Sequence, residues 1–189
     1  MPLYQHELNT IHRINIIQGD HYVDNNPMTV LTTILGSCIA TCLWDPVASV
    51  GGMNHFLLPG KNIDTHRFSQ PNLQRYGINL MELLLNDLFR RGAVKSQLKA
   101  KIFGGAAIVK GLTDVGAMNS IFAEKFLSEE GIELVSKSVG GTYGRKIQFW
   151  PVGGRARQAF MTSDINSIIR DEVKHTPVIQ HISGQVELF

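Results

Sequence analysis

Hydrophobic residues in this chain form short dense runs, a pattern typical of strands in a buried sheet. From Met28 the sequence MTVLTTILGSCIATCLWD is rich in β-branched and small residues. Because both alternating sets of positions are apolar, we predict strands that are buried on both faces. Asp45-Pro46 indicates a turn, and residues 50–58 predict the next strand, which ends at Pro59-Gly60.

Two segments show the spacing of amphipathic helices. Residues 72–91 predict the first helix, whose apolar positions recur at helical spacing: Leu80, Met81, Leu84, Leu85 and Leu88. Residues 118–130 predict the second helix. The remaining strands are predicted at 100–103, 132–139, 146–152 and 155–161. This mixed order lacks the regular alternation of strand and helix that a doubly wound sheet requires.

The length of 189 residues fits one domain with tails. We expect residues 1–27 to be a polar lead-in, residues 28–161 to form the domain, and residues 162–189 to be a loosely ordered tail. Hydrophobic residues make up 43% of the chain and charged residues 18%, which excludes disorder throughout. A chain of this size can bury a full hydrophobic core.

Charge and cysteine content exclude several functional classes. Eighteen basic and sixteen acidic residues leave a formal charge of +2, too balanced to indicate a nucleic-acid partner. No apolar run approaches the roughly 20 residues that span a bilayer, so we expect no membrane insertion. The only cysteines, Cys38 and Cys42, give no disulfide framework and favour a reducing cytoplasm. The histidines show no metal-ligand spacing, and no metal site is predicted.

Candidate chemistry lies in two short segments, LGSC ending at Cys38 and MNHF containing His55. A thiolate nucleophile needs a base, and imidazole is the usual one. If residues 38–44 and 49–57 pair around a four-residue loop, Cys38 lies directly opposite His55, with Cβ atoms about 4.5–5.5 Å apart. We expect backbone N–H groups near Gly36 and Ser37 to bind a developing oxyanion.

A structural interpretation of the same residues stays open at this stage. A small buried cysteine in a strand is most often there for packing, and a strand histidine beside Asn54 is often a structural group. Cys42 fits the packing role well. We do not expect a Cys38–Cys42 redox pair, because four residues along a strand separate the two by roughly 13 Å.

The run LGSCIATCLWDPVASVGGMNHFLLP closely resembles the chemoreceptor glutamine deamidase family, CheD. The resemblance continues through RRGA, KIFGGA, VGAMN and GGTYGRK and covers about residues 14–152. It implies an α/β sandwich of packed mixed β-sheets with flanking helices, similar to the catalytic domain of cytotoxic necrotizing factor.

The resemblance also implies a function. It predicts a cysteine amidohydrolase, a protein-glutamine glutaminase, that converts glutamines of chemotaxis receptors to glutamates and releases ammonia. Cys38 would be the nucleophile and His55 the general base and acid. The third catalytic residue of the family falls on Thr32, with Thr33 as the alternative. Substrate or oxyanion positioning would come from Gly36, Ser37 and Asn54.

No metal or organic cofactor is implied, and the same residues would support weak methylesterase activity. The implied partners are the cytoplasmic helical region of chemotaxis receptors and a CheC-like phosphatase. A different class of function is a non-catalytic chemotaxis adaptor that binds those partners. An unrelated cysteine protease would need a deep peptide cleft, which nothing in the sequence indicates.

Overall fold

The computed structural model describes residues 10–58, 70–108 and 113–161, and this part of the chain holds two sheets and two α-helices. The first sheet has the order β1 (His12–Asn15), β3 (Thr29–Leu35), β8 (Gly144–Trp150) and β9 (Arg155–Met161). The second has the order β2 (His21–Asp24), β5 (Val50–Phe56), β4 (Ile39–Asp45), β6 (Lys99–Gly104) and β7 (Glu133–Val139). The helices are α1 (Gln70–Arg90) and α2 (Thr113–Glu129).

Both sheets are mixed. In the first sheet β1 pairs with β3 in parallel, and the β3–β8 and β8–β9 pairs are antiparallel. In the second sheet the β6–β7 pair is parallel and the other pairs are antiparallel. None of the helices in the described ranges is long and apolar enough to cross a membrane.

The helices, the second sheet and the first sheet form three layers, and β4 is the central strand of the middle layer. Every one of its side chains is buried. Ile39 and Leu43 belong to a hydrophobic cluster that includes the inner faces of α1 and α2. Ala40 and Cys42 belong to a second cluster, which fills the space between the two sheets. The predicted strand with two buried faces is confirmed, and so is the sandwich of mixed sheets with flanking helices.

The N-terminal segment differs from its prediction. Residues 1–27 were expected to be a lead-in, yet β1 and β2 lie within them and add a strand to each sheet. Each of these strands is only four residues long, too short for a clear alternation of polar and apolar positions. The predicted tail, residues 162–189, lies outside the described residues.

Helix α2 begins at Thr113, five residues before the predicted start at position 118. Gly116 lies in this early part of the helix and packs against the backbone of Gly105. A Cβ atom at Gly116 would lie 2.5 Å from the Gly105 carbonyl oxygen. The helix therefore approaches the end of β6 as closely as only a glycine permits.

Candidate active site

Cys38 and His55 lie on the same face of the second sheet, but they are not directly opposite each other. The observed register pairs His55 with Ala40 and Trp44 with Gly51, so the predicted pairing of Cys38 with His55 is wrong by two positions. A shift of two residues keeps every side chain on its predicted face. Cys38, immediately before β4, is therefore a diagonal neighbour of His55. The Cβ atoms of diagonal neighbours are typically about 7 Å apart.

The loop that joins β4 to β5 explains this register. Asp45 still pairs with Val50, so the loop spans residues 46–49 rather than 45–48. One carboxylate oxygen of Asp45 accepts hydrogen bonds from the N–H groups of Val47 at 2.8 Å and Ala48 at 2.9 Å. Ser49 completes the turn in the left-handed region, with φ of 55°. The loop thus begins and ends one residue later than predicted.

The imidazole of His55 is oriented by Thr33 of β3. The Thr33 hydroxyl lies 2.9 Å from Nδ1 of His55 and donates a hydrogen bond to the Ile16 carbonyl oxygen at 2.7 Å. Because its single hydrogen goes to Ile16, the hydroxyl oxygen accepts the hydrogen on Nδ1. Nδ1 also lies 3.3 Å from the same carbonyl, which can only accept. The neutral ring therefore carries its hydrogen on Nδ1 and its lone pair on Nε2, the nitrogen left to act as a base.

Of the two candidate threonines, Thr33 and not Thr32 is hydrogen-bonded to His55. The Thr32 hydroxyl donates to the Ile14 carbonyl oxygen at 3.3 Å, and its side chain is only partly buried. Thr33 is 1% exposed and shares the inner face of β3 with Leu31 and Leu35. Neighbouring residues of a strand point to opposite faces, so only one of the two threonines can reach the layer between the sheets.

Asn54, which was predicted to position the substrate, faces the helices, and the structure does not bring it together with Cys38 and His55. Its side-chain oxygen accepts a hydrogen bond from the Thr41 N–H at 3.0 Å. Its Nδ2 donates to the Leu80 carbonyl oxygen and contacts the sulfur of Met81, both at 3.3 Å. Asn54 is fully buried and ties β5 to β4 and α1, which makes it a structural residue.

The segment between β1 and β2 forms one side of the site. The backbone N–H of Gly19 donates to the His55 carbonyl oxygen at 2.8 Å, and the His55 N–H donates to the Asp20 carbonyl oxygen at 3.0 Å. Between these contacts and Ile16 lies Gln18, whose Oε1 accepts a hydrogen bond from Sγ of Cys38 at 3.4 Å. The segment therefore touches the thiol and the imidazole together.

Tyr76 of α1 lies close to the same segment. A Cβ atom built on Gly19 would lie 3.8 Å from the Tyr76 hydroxyl oxygen. Burial raises the pKa of Tyr76, and the proximity of Cys38 raises it further. Tyr76 is partly exposed and places a phenol at the edge of the site.

Three successive backbone carbonyl groups, which end with that of Cys38, are anchored by hydrogen bonds. The oxygens of Gly36, Ser37 and Cys38 accept hydrogen bonds from Ala106 N at 2.8 Å, Asn119 Nδ2 at 3.0 Å and Gly105 N at 2.7 Å. The last contact depends on Gly104, where a Cβ atom would lie 2.1 Å from the Cys38 oxygen. Gly104 therefore permits the close approach of β6 to the backbone at Cys38.

Cys42 lies deep between the sheets and is fully buried. Burial raises the pKa of its thiol far above the ordinary range, although Lys101 acts in the opposite direction. Such a thiol is inert as a nucleophile, which confirms the predicted packing position of Cys42. Within the described ranges, no three His, Cys, Asp or Glu side chains come together as metal ligands.

Comparison with known proteins places this arrangement in a family. The family model described as CheD chemotactic sensory transduction matches residues 57–159. A protein of Acidiphilium cryptum is 56% identical over 180 residues, which cover 94% of this chain and 93% of the relative. The chain belongs to the CheD family.

Other CheD relatives are similar over comparable lengths. A protein of Agrobacterium fabrum is 47% identical over 94% of this chain and 96% of its own length. Both relatives carry the name probable chemoreceptor glutamine deamidase CheD. Among solved structures, the Neisseria meningitidis protein NMB0706 is 14% identical, with a TM-score of 0.40, over 71% of this chain and 62% of that protein.

Sequence reasoning missed three residues of this CheD site: Gln18, Tyr76 and Asn119. Asn119 is fully buried in α2 and bridges the two segments that carry the candidate pair. Its Nδ2 donates to the Ser37 carbonyl oxygen, and its Oδ1 accepts a hydrogen bond from the Leu58 N–H at 2.7 Å. An asparagine inside the apolar face of a helix was the available signal, because a buried amide must find partners.

Proposed function

We propose that this CheD-family protein is a protein-glutamine deamidase that acts on chemotaxis receptors with Cys38 as its nucleophile. The observation that carries the proposal is the buried hydrogen bond between Thr33 and His55. This bond leaves the lone pair on Nε2 of a ring that shares one sheet face with Cys38. The names of the relatives, which specify receptor glutamine deamidation, support the same substrate class.

The reaction divides a difficult amide hydrolysis into two steps. His55 takes the proton of the Cys38 thiol at Nε2, and the thiolate attacks the carbonyl carbon of the glutamine side chain. The resulting imidazolium gives its proton to the leaving nitrogen, so ammonia departs and a thioester forms. His55 then removes a proton from water, which attacks the thioester, and the imidazolium returns this proton to the departing sulfur as glutamate is released.

Thr33 acts on His55 rather than on the substrate. By accepting the hydrogen on Nδ1, it fixes the ring tautomer and orientation, as a carboxylate or amide does in other triads. The hydroxyl is itself fixed, because it donates to the Ile16 carbonyl oxygen at 2.7 Å. We assign Thr33 as the third member of the triad.

Negative charge on the substrate oxygen must be stabilised while the tetrahedral intermediate exists. We assign this role to backbone N–H groups of the Gly36–Cys38 segment, as the sequence predicts. The carbonyl groups of this segment are held by Gly105, Ala106 and Asn119. Three separate anchors keep the backbone from moving as charge develops, and such preorganisation is the main source of oxyanion stabilisation.

The substrate is the cytoplasmic helical region of chemotaxis receptors, which presents glutamine side chains on an exposed surface, and the enzyme is accordingly cytoplasmic. Free glutamine is a poor substrate, because it lacks the helix contacts that position the amide. A glutamate methyl ester presents a similar acyl centre and is hydrolysed weakly. A CheC-like phosphatase is the proposed protein partner.

The test uses purified receptor cytoplasmic fragments. With wild-type protein, ammonia is released and specific receptor peptides show the mass change from amide to acid. The Cys38→Ala variant does neither, and the matched Cys42→Ala variant keeps the activity. Conversion by Cys38→Ala at the wild-type rate would refute the mechanism. Receptor binding without conversion by the wild type would favour the adaptor function instead.

A further inference from the structure

Gln18 presents a primary carboxamide directly to the thiol of Cys38. Its Oε1 lies 3.4 Å from Sγ and accepts the hydrogen bond from the thiol. The side chain is partly buried. Under the proposed function, the substrate group that must reach this sulfur is also the carboxamide of a glutamine. The enzyme therefore places next to its own nucleophile the same functional group that it hydrolyses in the substrate.

The backbone on both sides of Gln18 is fixed to the catalytic residues. Two residues earlier, the Ile16 carbonyl oxygen accepts the hydrogen bond from Thr33. One residue later, the Gly19 N–H donates to the His55 carbonyl oxygen. These contacts prevent the segment from carrying Gln18 away from the site. Displacement of the carboxamide from Sγ therefore requires rotation about the side-chain bonds of Gln18 and no movement of the backbone.

We propose that the Gln18 carboxamide occupies the subsite of the substrate carboxamide, as an internal competitor that a receptor glutamine must displace. This inference rests on the proposed function. A group tethered next to its site has a high effective concentration, so even a weak contact competes with a substrate from solution. Gln18 thus sets the apparent affinity for receptor glutamines and favours substrates held by additional contacts.

The contact explains why Gln18 can remain in the site without being consumed. The thiol donates its hydrogen to Oε1, so in this arrangement the sulfur approaches the oxygen of the amide. Hydrolysis requires a thiolate above the carbonyl carbon, with the two atoms about 3–3.5 Å apart. The hydrogen bond also keeps the proton on sulfur while no substrate is bound, which makes the resting thiol less reactive.

The first test compares the kinetics of variants with a receptor cytoplasmic fragment as substrate. Gln18→Ala should lower KM roughly 3- to 10-fold, the effect of losing one competing hydrogen bond, and should leave kcat unchanged. Gln18→Met keeps the length of the side chain but lacks the carbonyl oxygen, and it should lower KM as well. The control is Gln97→Ala, at an exposed glutamine in the short 3₁₀ helix before β6.

A second measurement does not depend on turnover. In a Cys42→Ala background, Gln18→Ala should increase the rate of Cys38 alkylation by iodoacetamide several-fold, because the thiol loses its hydrogen-bond acceptor. Peptide mapping of the wild type should find residue 18 as glutamine. Glutamate at position 18 in the wild type, absent from Cys38→Ala, would make Gln18 a substrate and overturn the proposal.

The remaining outcomes separate this proposal from the function on which it rests. A lower kcat with unchanged KM in Gln18→Ala would show that Gln18 assists the reaction, and would overturn the competitor role. An unchanged alkylation rate would overturn it too. If the wild type converts no receptor glutamine, the proposed function fails, and the alkylation rates still decide whether Gln18 restrains the thiol.

Discussion

Thr33 and His55 are joined by a buried hydrogen bond of 2.9 Å between the threonine hydroxyl and Nδ1 of the imidazole. The two residues come from different sheets, because Thr33 lies on β3 and His55 on β5. The bond therefore fixes the ring across the layer between the sheets. Any change in the spacing of the two sheets would alter the direction of Nε2, and with it the proposed transfer of a proton from Cys38.

Removal of the Thr33 hydroxyl should reduce turnover. In Thr33→Val, of similar shape, Nδ1 of His55 loses its shorter hydrogen bond and keeps only the 3.3 Å contact with the Ile16 carbonyl oxygen, so competing ring orientations and tautomers become populated. We expect kcat to fall roughly 10- to 100-fold, with KM for the receptor fragment nearly unchanged. Ammonia release under saturating substrate measures the effect, and Thr33→Ser should recover most of the loss.

Thr32 supplies the matched control for that experiment. It adjoins Thr33 but its hydroxyl donates to Ile14 rather than to His55. Thr32→Val should therefore keep kcat within about twofold of the wild type. A larger loss in Thr32→Val than in Thr33→Val would contradict the assignment of the third triad residue.

The two cysteines should differ sharply in their reaction with iodoacetamide. Both cysteines are buried, Cys38 at 1% and Cys42 at 0% exposure, so the expected difference comes from their surroundings. Burial raises the pKa of the Cys42 thiol, which keeps it protonated, whereas Cys38 shares its sheet face with the imidazole of His55. We expect Cys38 to be alkylated at least 10-fold faster in the native protein. Mass spectrometry of peptides from timed samples gives both rates. Equal rates that become fast only after unfolding would contradict a catalytic Cys38.

Asn119 should matter for activity through the backbone it holds. Asn119→Asp keeps an oxygen for the Leu58 N–H but replaces the amide that donates to Ser37. A buried carboxylate beside that carbonyl is repelled, so we expect a loss of about 2–4 kcal/mol in unfolding free energy. Chemical denaturation measures this loss.

Position 119 also allows the catalytic effect to be separated from stability. Asn119→Ala removes both hydrogen bonds without adding charge, and the variant can be assayed well below its unfolding temperature. A reduced kcat in folded Asn119→Ala, with unchanged receptor binding, would show that the Ser37 anchor serves the reaction. Wild-type kcat in the folded variant would make Asn119 a purely structural residue.

Asp45 should make the free energy of unfolding depend on pH in the acidic range. Burial acts to raise the pKa of Asp45, but the N–H groups of Val94, Ala48 and Val47 outweigh it and hold the pKa below its ordinary value. A carboxyl with a lowered pKa in the folded state stabilises the protein above its unfolded pKa, and this contribution is lost as pH falls through the folded value.

The comparison of wild type with Asp45→Asn isolates this contribution. The variant should be less stable by about 1–2 kcal/mol near neutral pH. The difference should begin to shrink below about pH 4, where the carboxyl of the unfolded chain takes up a proton, and should vanish once the pH is below the lowered pKa of the folded protein. Urea denaturation at several pH values gives the difference directly. A difference that stays constant from pH 7 to pH 3 would contradict the assignment.

Much of the fold could be predicted because burial leaves a strong pattern. Strand β4 was predicted from apolar residues at consecutive positions, and α1 from leucines at helical spacing. Strands β1 and β2 escaped prediction because four residues carry too little periodicity, and their places depend on pairing with β3 and β5. Local pattern cannot supply such long-range pairing.

The site was predictable in its types of residue and less so in its geometry. Cys38 and His55 were placed on one face correctly, because a register error of two positions preserves the face. The choice between Thr32 and Thr33 could not be made from sequence, since Val30 and Ile34 favour one face of β3 as strongly as Leu31 and Leu35 favour the other. Only the position of the second sheet decides it.

The anchors of the Gly36–Cys38 segment also determine when during synthesis the proposed site can form. The thiol is made early, but the Ser37 carbonyl finds its partner 82 residues later in the chain, on α2. A partly synthesised chain that carries Cys38 therefore lacks the groups that shape its surroundings. Contacts of such long range form late, when the domain folds as a unit. The ribosome must therefore complete most of the domain before a nascent chain can assemble the site proposed to act on receptors.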